Sequence, residues 1–92
     1  MEYILAIGYV ETVMLEMKWK KEKEKLTMEN IESRLSTLLD KKKEIIIAYA
    51  KIAYNNIKNS KKEVTIREME AQIQILKDEY TINELIEKAK KL

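Results

Sequence analysis

The sequence has no cysteine, histidine, proline or phenylalanine and a single glycine. Each absence removes a class of function. Without Cys there is no disulfide framework, thiolate nucleophile or sulfur-ligated zinc. Without His, imidazole metal centres, Ser-His-Asp triads and the Glu-x-x-His frame of carboxylate-bridged di-metal bundles are excluded. One glycine, Gly8, cannot build a phosphate-cradling loop. Long hydrophobic runs are missing too. The longest stretch without Lys or Arg ends at Met17 and already contains Glu2, Glu11 and Glu16, so no membrane span of about 20 apolar residues is expected. The first eleven residues have no basic n-region, so no targeting segment is expected and an intracellular location follows by default.

What remains is charge and helix formers. The 92 residues carry 18 Lys plus Arg against 16 Asp plus Glu, a net of +2, which describes an ion-paired surface and not a polycation. With 46% hydrophobic residues the chain is too apolar for disorder, and its length suits one domain able to bury roughly 65% of its unfolded surface. The richness in Lys, Glu, Ile, Leu, Ala and Met, with no Pro, predicts an all-α fold of three to four helices. The Lys, Glu and Ile content suits a low-GC or heat-adapted source, and a small helical chain of this kind suits a virus or mobile element. No motif of a known family stands out.

Apolar spacings of three and four place the helices. The first segment, about 2–25, aligns Tyr3, Ile7, Val10, Met14 and Met17 on one stripe. The second, about 28–58, aligns Met28, Ile31, Leu35, Leu38, Ile45, Tyr49 and Ile52, with Lys42 and Asn56 at seam positions that should be apolar. A third, 66–79, runs through Ile66, Met69, Ile73 and Leu76 to Tyr80, and a fourth, about 82–91, uses Ile82, Ile86 and Ala89 out of phase with it. Helix starts are marked by Thr27, Thr65 and Thr81 as N-caps. Glu68 and Glu84 stand where capping boxes need them, and Leu26/Ile31, Val64/Met69 and Tyr80/Leu85 stand where hydrophobic staples close. Residues 59–64 read as a loop. Met28 continues the first stripe in phase, so one continuous rod through the first two segments is the alternative, with which the Thr27 cap competes.

A straight helix over 28–58 would be roughly 46 Å long, while a compact chain of this size has a radius of gyration near 12 Å. Either it breaks near residues 39–43 or another chain covers the overhang. The first ten residues are apolar on nearly every side, with Gly8 allowing close approach. A homodimer is therefore expected, pairing chains through Tyr3, Ile7, Val10, Met14, Met17, Met28, Ile31, Leu35, Leu38, Lys42, Ile45, Tyr49, Ile52 and Asn56, with Lys42 and Asn56 fixing register. The competing arrangement is a monomeric bundle with the first helix at its centre. Tyr3, Tyr9, Tyr49 and Tyr80 are expected in the core or an interface, Met14, Met17, Met28 and Met69 as core fillers, and Trp19 packed on a bundle end. Trp19 with Lys18, Lys20 and Lys21 has the make-up of an interfacial membrane anchor, but Glu22 and Glu24 interrupt it.

No carboxylate pair sits in a catalytic frame. Most acids have a Lys three or four residues away, and oxygen-only metal sites at Glu29/Glu32 or Glu84/Glu87 are unspecific. No catalytic residue, cofactor, metal or small-molecule substrate is assigned. The sequence predicts a non-enzymatic helical interaction protein, an adaptor or regulator, that self-associates through the first two helices and binds another protein with the last two. The alternative is nucleic-acid binding through Lys41, Lys42, Lys43, Lys51, Tyr54, Asn55, Lys58 and Lys62, where Lys meets phosphate, Asn reaches a base edge and Tyr stacks. Scarce Arg and the fit of Lys58, Lys61 and Lys62 to a helix C-terminal dipole favour a solvated face there. Residues 65–92 fit a helix-turn-helix poorly, because no turn residue separates the two helices.

Overall fold

A computed structural model of the chain describes residues 2–19, 25–38 and 42–92. It contains five α-helices: α1 (Glu2–Trp19), α2 (Met28–Leu38), α3 (Lys43–Asn59), α4 (Ile66–Glu79) and α5 (Ile82–Lys90). No strand occurs among the described residues.

The expected second helix is two helices. Glu32 on α2 and Lys51 on α3 are 3.3 Å apart, whereas on one straight helix that spacing would separate them by about 28 Å. Helix α2 ends at Leu38 and α3 begins at Lys43, and Lys42, at the start of α3, adopts φ 57, in the left-handed region. A non-glycine residue there costs free energy, so no glycine marks the turn, but the break falls at 39–43, where the length of the segment allowed one. Lys42 is thus not a buried seam residue. It is exposed, and its Nζ lies 3.3 Å from Glu2 Oε1 at the start of α1.

The first two segments are not one rod either. Lys25–Thr27 are not helical, Thr27 Oγ1 accepts the Asn30 backbone N–H at 3.2 Å, and Arg34 returns to Glu16 at 3.5 Å. The part of the expected first helix over 20–24 lies outside the described residues. The other caps match their sequence signals more closely. Thr81 forms a complete capping box with Glu84, while at Thr65 only the hydroxyl half forms and the Glu68 carboxylate lies 4.0 Å from Lys62.

The helix α3 is the centre of the bundle and packs against all four others. Its inward residues explain how it can be surrounded: Ala48, Ala50 and Ala53 let neighbouring backbones approach, while Ile46, Ile52 and Ile57 fill the gaps between them. It ends in a Schellman turn. Lys61 donates to Lys58 O at 2.9 Å and Lys62 to Ile57 O at 3.1 Å, with Lys61 at φ 58 in the position usually given to glycine.

Helix α1 packs on α2, α3 and α4 and buries Ala6, Val10, Val13, Met14 and Met17. It runs antiparallel to α4. Lys77 sits over the Tyr3 ring at 4.3 Å, while Met14 and Lys18 lie beside Val64–Arg67. The radius of gyration is 12.2 Å, the value expected of a self-contained domain this long, so one chain closes its own core.

Candidate functional site

Three of the candidate lysine-face residues, Lys51, Tyr54 and Asn55, line a cleft between α2 and α3. It encloses about 530 Å³ and is lined by Met28, Glu29, Glu32, Ser33, Lys51, Tyr54, Asn55 and Leu92. Antiparallel packing of α2 on α3 puts two carboxylates beside the one amine, and Glu32 takes it at 3.3 Å. The local charge is therefore net negative, which opposes phosphate. Of the other candidate lysines, Lys42 pairs with Glu2 and Lys62 approaches Glu68, whereas Lys43 and Lys58 stand exposed on α3. Lys41 lies outside the described residues. Tyr54 and Asn55 are half-buried in the cleft wall.

The acidic pairs weighed as oxygen-only metal sites are engaged otherwise. Glu32 meets Lys51, Glu84 accepts the Thr81 N–H at 2.9 Å, and Glu87 lies 3.6 Å from Lys90. The Thr81 backbone holds Glu84 below the usual carboxylate range. No group of three potential metal ligands occurs among the described residues. One carboxylate contact is legible only in the fold. Glu11 on α1 faces Glu70 on α4, and their mutual hydrogen bond, together with burial and charge repulsion, raises the pKa of Glu70. At the start of α1, Glu2 is held low by its own backbone N–H and by Lys42, while burial and the Glu2 charge raise Tyr49.

Most of the residues expected to pair chains are used within one chain. Val10, Met14, Met17, Ile31, Leu35, Tyr49 and Ile52 lie in the core, and Tyr3, Ile7, Met28 and Ile45 are half-buried against it. Asn56 also has its partner in the same chain, because its Nδ2 donates to Gln72 Oε1 on α4 at 3.3 Å. Leu38 alone of the apolar set is exposed. Trp19 corrects a second expectation. It does not pack on a bundle end but is 78% exposed at the end of α1.

The surface left over is the far side of α1. Ile4, Leu5, Leu15 and Trp19 are its large exposed apolar residues. Ile4 and Leu5, together with Gly8, Tyr9 and Thr12, line a shallow groove of about 300 Å³ with no charged residue among them. The sequence shows the first ten residues as apolar on nearly every side, but the stripe expected to meet a partner is the inner one. The signal for the outer one was available as a second set of three-and-four spacings.

Comparison with family models, with curated proteins and with solved structures finds no match to this chain. No helix among the described residues is long and apolar enough to cross a membrane.

Proposed function

We propose that the chain is a non-enzymatic helical interaction protein, an adaptor or regulator, that acts by docking a polypeptide on the outer face of α1. One observation carries this reading. A single chain closes its core with one side of α1, yet the opposite side aligns Leu5, Leu15 and Trp19 over more than three turns. Scattered exposed apolar residues are ordinary, but an aligned stripe with an exposed Trp marks a surface that is covered in use. The absence of Cys and His supports the non-enzymatic half of the proposal.

The test is site-specific photo-crosslinking from the Thr12 position, an exposed residue within the stripe, in cells that make the protein. A polypeptide should be captured, and Trp19→Glu should abolish the capture. No capture, or capture indifferent to Trp19→Glu, would overturn the reading. The nucleic-acid alternative then becomes the working hypothesis, and it requires salt-sensitive binding of mixed-sequence DNA or RNA that is lost in Lys43→Glu/Lys58→Glu.

A further inference from the structure

We propose that the occupant of the outer face of α1 is the same face of a second copy, laid antiparallel about a two-fold axis. The proposal rests on the docking reading above and names its partner. Leu5, Gly8, Thr12, Leu15 and Trp19 recur at spacings of three and four, the seam of a coiled coil. Ile4, Glu11 and Lys18 flank one edge of that seam, and Tyr9 and Glu16 flank the other, so Glu11 and Glu16 sit at the rims where α1 also meets Glu70 of α4 and Arg34 of α2. In an antiparallel pair, like edges meet.

One register matches both shape and charge. Gly8 lies opposite Trp19 of the second copy, Thr12 opposite its Leu15, and Glu11 opposite its Lys18, and the two-fold axis repeats each contact. Trp19 is the largest exposed apolar side chain, and the uncharged groove of about 300 Å³ around Gly8 has room for its indole. Glycine inside a helix weakens it, and a Cβ at Gly8 would meet nothing within 4 Å, so the chain's own packing does not call for a glycine there. An incoming Trp does. The other edge brings the Tyr9 hydroxyl to Glu16 of the second copy.

The two competing arrangements put like charges together. Sliding one helix by a heptad sets Glu11 against Glu11, and parallel pairing sets Glu11 against Glu16. The chosen overlap, residues 8–19, is about 18 Å long, so it falls at the small end of specific interfaces and makes a reversible, concentration-dependent dimer. Because Gly8 meets Trp19 at the same moment that Trp19 meets Gly8, the contact closes on itself and does not propagate into a fibre.

The experiment is sedimentation equilibrium from micromolar to millimolar protein. The wild-type chain should pass from monomer to dimer, and Gly8→Leu, which fills the groove and leaves the monomer's core untouched, should stay monomeric and folded. Lys18→Glu and Glu11→Lys copies should each self-associate at least about tenfold more weakly, yet pair with each other on mixing, since the antiparallel register then matches both charge contacts. A wild-type chain that stays monomeric, a Gly8→Leu chain that dimerises normally, or a mixture with no preference for the mixed dimer would overturn the proposal. If the wild type is monomeric while Thr12 still captures another polypeptide in a Trp19-dependent way, the second copy is the wrong occupant and the docking reading stands. If Trp19→Glu leaves that capture unchanged, the docking reading falls as well.

Discussion

Helices α1 and α3 are both strongly apolar, but they solve different problems. Helix α3 packs against all four other helices, and its alanines keep those neighbours close. Around α1 there are helices on one side only, yet its other side carries Leu5, Leu15 and Trp19 where an ordinary surface helix would carry Lys and Glu. Hydrophobicity all round a helix therefore has two readings, a hub or a helix with a face still to be covered. Small residues distinguish them. Alanines facing several partners mark the hub, and a lone Gly8 facing open space marks the uncovered face.

The comparison can be broken most forcefully at the hub. Ile52→Ala removes a fully buried side chain and should cost about 2–5 kcal/mol in chemical denaturation, whereas Leu15→Ala on the outer face of α1 should change monomer stability by no more than about 0.5 kcal/mol. Equal effects would mean that the two helices are not differently placed. Overfilling gives the next largest effect. Ala53→Leu should destabilise by about 1–3 kcal/mol because no neighbour of α3 can retreat, while the larger change Gly8→Leu should leave the melting temperature of dilute protein unchanged or higher.

Two smaller effects sharpen the boundaries of the account. Lys61→Gly should raise stability by about 0.5–1 kcal/mol, since Lys61 occupies the left-handed position of the Schellman turn that ends α3. No gain in thermal unfolding would mean that the turn is not formed. The smallest effect is electrostatic and belongs to the edge of α1 that faces α4. Glu70 has a folded pKa raised above 4.5 by Glu11, so it binds its proton more tightly folded than unfolded. Its penalty is complete above the raised pKa and disappears as pH falls below 4.5. Glu70→Gln should therefore stabilise the chain slightly at neutral pH and make stability less dependent on pH across that window. A steeper dependence in the variant would contradict the carboxylate contact.

How much of this was legible beforehand depends on how local the signal is. Helices α4 and α5 start where Thr65 and Thr81 said they would, because a cap is written within four residues. The inward-facing residues of α1, α2 and α3 were legible as well, since periodicity fixes which side is apolar. Periodicity does not say whose core that side enters. Val10, Met14 and Ile52 would look the same in a dimer seam as in the bundle where they lie, and the polar interruptions Lys42 and Asn56 proved to be a left-handed turn and a partner for Gln72. The ion pairs of the lysine face were hidden for a related reason. Its counter-charges Glu2, Glu32 and Glu68 come from other elements and are invisible along a single helix. Trp19 is exposed and not packed on a bundle end, because nothing local to a helix end fixes whether an aromatic there finds a neighbour.

Trp19 is the only tryptophan, which makes its own emission the most direct measurement of the central claim. Acrylamide quenching of Trp19 should be nearly that of a free indole in dilute protein and should fall as protein concentration rises, while Gly8→Leu should stay fully quenchable throughout. A Trp19 already shielded at the lowest concentration, or one equally accessible at every concentration, would contradict an outer face of α1 that is open in the single chain and covered when the protein associates.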